Sequence, residues 1–153
     1  MSLAKSFPTT PAMVKSLQEA LNMSLSLANR SHEAHWNVKG EDFGQLHALF
    51  GDFYDFLAGA SDDLAERIVQ LDGKASAQPS GSPLSGDAVS LLSSVQSGAE
   101  ALGEKFIAII KASKDDPSTN NLVMGQCQSL EKYIWKIQAS HQSSVKGMGS
   151  LAR

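Results

Sequence analysis

One long irregular connection limits the folds that this chain can adopt more than any other feature of its sequence. The segment from Lys74 to Gly86, KASAQPSGSPLSG, contains two prolines and two glycines that follow serines, which are signals for a loop. On both sides of it, apolar residues recur at intervals of three and four over long stretches, the spacing of an amphipathic helix. No stretch alternates convincingly with the period of two that a half-buried strand shows. The sequence therefore predicts an all-α fold with one long connection.

Two helix-start signals help to set the bounds of the helices. Thr10 precedes Pro11, and Asp116 precedes Pro117. In each pair the first side chain can cap a helix, and proline loses no hydrogen bond at the first helical position. The predicted helices are α1 from about Pro11 to Asn37, α2 from about Phe43 to Leu71, α3 from Ala88 to Ser113 and α4 from Leu122 to about His141.

A tight turn is expected between α1 and α2. Gly40 follows the last residues of α1 and is suited to ending a helix. Asp42 and Gln45, three residues apart, resemble a capping box, in which each side chain bonds to a free backbone N–H group of the new helix. We therefore expect the Asp42 side chain to cap α2.

The connection lengths predict the arrangement of the helices. Short turns make α1 and α2 one antiparallel pair and α3 and α4 another, whereas the long connection crosses over between the pairs. A chain of 153 residues, 42% of them hydrophobic, can bury one sizeable core. We predict a single domain over residues 1–153, a ferritin-like four-helix bundle with one long crossover, with short tails at residues 1–9 and 143–153.

Composition narrows the possible partners and the compartment. The net charge of −3 and the scattered basic residues give no general surface for nucleic acid, so we expect direct DNA binding to be weak or absent. Cys127 is the only cysteine, which excludes a disulfide within the chain and favours a reducing, cytoplasmic setting. No apolar run approaches the roughly twenty residues that cross a membrane.

The candidate metal ligands fall into two groups. His35 and His47 lie on either side of the glycine-centred turn, in a chain with four histidines. Asp62 and Glu66 are four residues apart, so they share one face of α2 and can share a cation. His47 precedes Asp62 by fifteen residues, a distance of about 22 Å along a helix, which is too far for one ion. The remaining histidines, His32 and His141, are expected to be solvated.

A second copy of the chain would bring the two groups together. If α2 packs antiparallel against α2 of a twofold-related copy, crossing near residues 54–56, His47 of one subunit faces Asp62 and Glu66 of the other. His35 then lies beside His47, and the twofold axis generates two equal sites. Two imidazoles and two carboxylates suit Fe(II) and would also take Zn²⁺ or Mn²⁺.

The segment from His35 to Gly73 resembles the signature of the Dps family, the starvation-induced miniferritins. The residues that carry the resemblance are His35-Trp36-Asn37, Gly40, Phe43, Leu46-His47, Asp62, Ala65-Glu66-Arg67 and Leu71. The segment Lys132-Tyr-Ile-Trp135 also resembles part of that family's last helix.

The resemblance implies an iron-storage and detoxification protein that forms a hollow dodecameric shell. Its ferroxidase sites lie at twofold interfaces, with His35 and His47 from one subunit and Asp62 and Glu66 from the other as metal-binding and catalytic residues. Fe(II) is oxidised there by hydrogen peroxide, or by dioxygen, and the ferric product is stored as a mineral. This chemistry protects the cell against oxidative stress.

One position departs from the family pattern and leaves other functions open. The family usually has a carboxylate four residues after the second histidine, where this chain has Gly51, and the nearest acid, Asp52, is rotated by about 100° around the helix. The departure concerns the second of two metal positions. One alternative is a DNA-protecting, nucleoid-associated shell with little or no ferroxidase activity. Another is a bundle that stores Zn²⁺ or Mn²⁺ without oxidising it.

Overall fold

The computed structural model describes residue 6 and residues 9–150, with side chains described up to residue 141. Its helices are α1 Pro11–Asn37, α2 Phe43–Gln70, α3 Ala88–Ala112 and α4 Pro117–Ser150. Within this part of the chain there is no strand. The predicted all-α fold with a single crossover between α2 and α3 is therefore confirmed.

Each helix packs against two others, α1 and α4 both lying against α2 and α3. The contacts between α2 and α4 include Arg67 with Thr119, Ala60 with Gln126, and Phe53 with Tyr133. Each step moves seven residues along both helices in opposite directions. The two helices are thus antiparallel and meet once every two turns, as in a typical helix bundle.

Large apolar side chains from all four helices fill the space between them. Phe50 and Phe53 of α2 and Phe106 of α3 are fully buried, together with leucines from each helix. Burial of one such side chain contributes about 1.5–3 kcal/mol, so this core is the main source of stability.

Of the three predicted helix caps, those at Thr10 and Asp116 are confirmed. The Thr10 hydroxyl accepts a hydrogen bond from the Met13 N–H at 3.1 Å, and an Asp116 carboxylate oxygen accepts one from the Thr119 N–H at 3.1 Å. The predicted capping box at Asp42 is wrong, because its side chain makes no capping bond. Asp42 has φ −91° and ψ 13°, imposed by the tight turn, and not the extended backbone that directs a cap side chain at the helix.

The last helix is longer than predicted. α4 begins at Pro117 and continues to Ser150, so residues 143–150, which we expected to form a tail, are helical. This stretch contains no proline, and glycine lowers helix propensity without stopping a helix. Residues 151–153, like residues 1–5, 7 and 8 of the predicted N-terminal tail, lie outside the described residues.

Side chains of α1 bind the crossover along its length. Gln18 forms two hydrogen bonds with the Ser76 backbone, and the backbone N–H groups of Gln78, Ser80 and Leu84 donate to Asn22, Ser26 and Glu33. Four residues of helix span about 6 Å. Two extended residues span about 6.6 Å. One α1 side chain per turn can therefore satisfy every second N–H of the crossover, and the prolines at 79 and 83 occupy intervening positions that need no partner.

A buried ion pair joins the end of α2 to the start of α4. The Arg67 guanidinium donates to both carboxylate oxygens of Asp116, at 3.0 and 3.1 Å, and to the Thr119 hydroxyl at 2.8 Å. Burial opposes the ionisation of Asp116, but hydrogen bonds from Thr119 and Arg67 hold the pKa of this carboxyl below its usual value. Asp116 is thus both a helix cap and the partner of a buried cation.

We expect Asp116→Asn to lower the free energy of unfolding by about 3 kcal/mol at pH 7, because Arg67 would remain buried without its counter-charge. Since folding lowers the pKa of Asp116, the pair stabilises the protein above about pH 4 and stops doing so as the pH falls through the lower folded-state pKa. Urea unfolding of wild type and variant at pH 7 and pH 3 should therefore give a smaller difference at pH 3. Asp115→Asn, at an exposed neighbour, is the control and should change little. An equal difference at both pH values would contradict an ionic contribution.

Candidate metal centre

The turn between α1 and α2 places His35 and His47 side by side. After α1 the chain passes through the extended Val38 and through Gly40, whose φ of 108° lies in the left-handed region that favours glycine. The Phe43 N–H then donates to the Gly40 carbonyl at 3.1 Å and starts α2. The last turn of α1 thus lies beside the first turns of α2.

Each of the two histidines is held by the backbone of the other. His35 Nδ1 lies 2.6 Å from the His47 carbonyl oxygen, and His47 Nδ1 lies 2.8 Å from the His35 carbonyl oxygen. A carbonyl oxygen can only accept a hydrogen bond, so both Nδ1 atoms carry the proton. In the neutral rings both Nε2 atoms then have free lone pairs. Metal-binding histidines are commonly fixed in this way by a hydrogen bond from the other ring nitrogen.

The two rings are stacked, which limits how they can bind cations. Their centroids are 3.7 Å apart and their planes differ by 19°. An imidazole lone pair lies in the plane of its ring, and a bound metal lies about 2 Å from the nitrogen. Because the two ring planes are nearly parallel, they do not intersect within about 2 Å of the ring nitrogens. In this arrangement, His35 and His47 therefore address two different positions and do not share one ion.

Further aromatic rings surround the pair. His32 stacks on Tyr54 with a centroid distance of 3.9 Å and lies 4.3 Å from Trp36 and 5.9 Å from His35. Our expectation that His32 is solvated is therefore wrong. Its position three residues before His35, on the same helix face, is the signal that could have indicated this contact. Trp36 is 62% exposed and leaves an apolar edge beside the histidines open.

The fourth histidine lies elsewhere. His141, also expected to be solvated, is half-buried near the C-terminal end of α4. Its Nδ1 is buried, and no hydrogen-bond partner for it lies among the described side chains. It takes no part in the pair formed by His35 and His47.

Gly51 lies directly against the ring of His35. A Cβ atom placed on Gly51 would lie 3.0 Å from His35 Nδ1 and 3.1 Å from its Cε1. The neighbouring acid, Asp52, is on the side of α2 that faces α4, where its carbonyl accepts a hydrogen bond from the Tyr133 hydroxyl at 3.2 Å. Burial, with the nearby charges of Asp52 and Asp55, raises the pKa of Tyr133, so this hydroxyl remains a neutral donor.

Asp62 and Glu66 are exposed on a single face of α2. Among the residues that the structure describes, neither carboxylate has a hydrogen-bond or ion-pair partner. Arg67, the next residue, is buried on the opposite side of the helix and paired with Asp116. The negative charges of Asp62 and Glu66 are therefore available to a ligand.

Within one copy of the chain, the four candidate ligands remain in two separate pairs. No group of three or more histidine, cysteine, aspartate or glutamate side chains converges in the described part of the structure. The histidine pair lies at the N-terminal end of α2, and the carboxylate pair lies near its C-terminal end. The four predicted ligands therefore do not form one site within a single described chain.

Comparison with known proteins establishes the family. The family model of the ferritin-like domain matches residues 14–143. The DNA protection during starvation protein of Agrobacterium fabrum is 32% identical over 138 residues, which span 82% of this chain and 85% of that protein. The chain belongs to the Dps family of ferritin-like proteins. The resemblance noted in the sequence is therefore confirmed.

Solved structures agree with the Dps assignment. DpsA14 from Streptomyces coelicolor is 26% identical, with a TM-score of 0.77 over 84% of this chain and 83% of that one. A thioferritin from Bacteroides fragilis, described as dodecameric, has a TM-score of 0.86 over 97% of this chain and 94% of that one; at 16% identity it shows the fold alone. In the described part of this Dps-family chain, no helix has the length and apolar character needed to span a membrane.

We expect Asp62→Asn and Glu66→Gln to change the free energy of unfolding of the metal-free protein by at most about 0.5 kcal/mol, because both side chains are exposed and unpaired. Thermal unfolding at a fixed protein concentration measures this, with Asp116→Asn as the destabilised reference. A large loss of stability in either variant would show that the carboxylate has a structural role within the chain.

Proposed function

We propose that this Dps-family protein oxidises Fe(II) at sites shared between two subunits and stores the ferric product inside a shell. The observation that carries the proposal is the histidine pair, whose hydrogen bonds leave both Nε2 atoms free to bind a metal. In the proposed site, His35 and His47 come from one subunit, and Asp62 and Glu66 come from the other. Both pairs lie on rigid helices and are accessible.

The surface of α2 supports an antiparallel contact between two copies. Small residues recur at intervals of seven on the face that carries His47 and Asp62, and each is exposed or half-buried; they are Gly44, Gly51, Ala58 and Ala65. Residues of this kind let two helix backbones approach closely. In an antiparallel pair centred between Tyr54 and Asp55, His47 faces Asp62 while the small residues face one another. One twofold axis then satisfies both relationships.

The ligand set fits Fe(II) as a substrate. Imidazole nitrogen together with carboxylate oxygen suits Fe(II), and so few protein ligands leave positions open for an oxidant. Hydrogen peroxide, with two protons and one electron from each of two Fe(II) ions, gives two water molecules and two Fe(III) ions. This reaction releases no hydroxyl radical. We propose peroxide as the preferred oxidant, with dioxygen as an alternative.

Assembly and location complete the proposal. We propose a dodecameric shell, supported by the fold shared with a thioferritin that is described as dodecameric. We also propose a cytoplasmic location, because Cys127 is the only cysteine and no disulfide can form within the chain. Burial raises the pKa of the Cys127 thiol and makes it unreactive.

A second candidate function comes from the name of the Agrobacterium relative, which refers to DNA protection. The net charge of −3 opposes direct contact with the DNA backbone. We therefore propose that any protection of DNA is chemical and follows from the removal of Fe(II) and peroxide. Binding driven by terminal lysines would instead appear as a mobility shift at low salt that fades steeply as salt increases.

The test of shared sites combines two inactive variants. We expect His47→Ala and Glu66→Ala each to oxidise Fe(II) at least about 10-fold more slowly than wild type after anaerobic loading and a peroxide pulse, since each removes a metal ligand. Co-refolding equal amounts of both variants should restore part of the rate, because a mixed interface contains one site with all four ligands. Ferric absorbance follows the reaction.

His141→Ala is the matched control, as it removes a histidine outside the site and should leave the rate unchanged. If the co-refolded mixture is no faster than either variant, the four ligands do not come from two subunits. If wild type is no faster than buffer, the ferroxidase proposal fails.

A further inference from the structure

We propose that Gly51 is a positioning residue for His35, and that the centre it shapes binds one divalent cation tightly per site. This inference rests on the proposed function for the cation itself, whereas the role of Gly51 in placing His35 can be tested without any metal. The simpler interpretation is that the family's carboxylate ligand is merely absent at residue 51. Here Gly51 has a role of its own, because it leaves room for the His35 ring.

The glycine leaves the space that the His35 ring occupies. A Cβ on residue 51 would lie 3.0 Å from His35 Nδ1, closer than an ordinary van der Waals contact. The ring has little freedom to move away. Its Nδ1 donates to the His47 carbonyl at 2.6 Å, and its face stacks on the His47 ring at 3.7 Å. A Cβ at residue 51 would therefore require the His35 ring to shift slightly, against the hydrogen bond and the stacking contact that hold it.

Three other helical glycines have no such neighbour, whereas a Cβ at Gly98 in α3 would lie 2.7 Å from Leu27 Cδ1. A Cβ at Gly44, Gly59 or Gly125 would meet no atom within 4 Å. Glycine in the interior of a helix is less favourable than alanine, so a glycine that touches nothing has no packing reason within the chain. Gly51 does have a packing reason, because the ring of His35, a candidate metal ligand, occupies the space beside it.

The same glycine limits the number of cations that bind tightly. The stacked rings address two different positions, as their nearly parallel planes require. Residue 51 lies one turn after His47 on the same face of α2, where a carboxylate would support the position beside His47. With Gly51 there, and with the charge of Asp52 close to Tyr133 of α4, residue 51 offers no carboxylate to that position. One of the two positions therefore lacks the oxygen ligand that a tightly held Fe(II) needs.

The experiment without metal is a double-mutant cycle read by thermal unfolding. Gly51→Ala should lower the unfolding temperature when His35 is present and raise it in the His35→Ala background, where the space is free. Gly125→Ala, the matched control, should raise or leave unchanged the unfolding temperature in both backgrounds, because its Cβ meets nothing. If Gly51→Ala raises it in both backgrounds, or weakens subunit association with no coupling to His35, the positioning role is wrong.

The experiment with metal is a titration of the metal-free protein with Co²⁺, which reports binding without oxidation. Wild type should bind one Co²⁺ tightly per subunit. Gly51→Ala and Gly51→Asp should both bind it about 10- to 100-fold more weakly, the usual effect of disturbing the support of a metal ligand. If Gly51→Asp instead gains a second tight Co²⁺ while the first is unchanged, Gly51 is only a missing ligand and the proposal is overturned.

The two experiments separate the inference from the function on which it rests. If the cycle shows coupling to His35 but wild type binds no Co²⁺, Gly51 positions His35 and the proposed metal site is wrong. If wild type binds two Co²⁺ ions per subunit with equal affinity, the limit of one tight cation is wrong even where the coupling is found.

Discussion

The rigidity of one helix determines how this protein can build a metal site. α2 rises about 1.5 Å per residue, so it keeps the histidine pair and the carboxylate pair about 22 Å apart in every copy. No movement within an intact helix can bring them together. An arrangement in which all four contribute to one metal centre therefore requires two chains, as in the proposed antiparallel contact of α2 with its copy. The same twofold contact, as proposed, would contain two such centres, one at each end of the paired helices.

The two sides of α2 carry charged residues with different roles. Arg67 lies on the buried side, and its neighbour Glu66 lies on the exposed side. Arg67 turns inward and neutralises Asp116, which caps α4 and ties the ends of the two helices together. Glu66, the preceding residue, is exposed and has no ion-pair partner among the described residues. The internal ion pair is satisfied without the exposed carboxylates Asp62 and Glu66, which are therefore available to a cation. The charged residues that stabilise the fold are thus different from those of the proposed metal site.

Local signals could be predicted from the sequence, and contacts across helices could not. Thr10 and Asp116 were predicted as caps because capping depends on residues three positions away in the chain. Asp42 has the same chemistry but fails as a side-chain cap, since the turn before it fixes a different backbone conformation. The proximity of His35 and His47 followed from the turn at Gly40. Their reciprocal hydrogen bonds did not, because they depend on the rotation of α1 relative to α2.

Gly51 illustrates the same limit in the site itself. In the sequence, Gly51 occupies a position where the family usually has a carboxylate, so the natural interpretation is that a metal ligand has been lost. The structure adds the ring of His35, twelve residues from its hydrogen-bond partner His47 and in contact with Gly51. Each histidine is then satisfied at Nδ1 within its own chain, so the histidine half of the proposed site need not rearrange when two chains meet. In the proposed assembly, the second chain then adds its carboxylates to a histidine pair that is already in place.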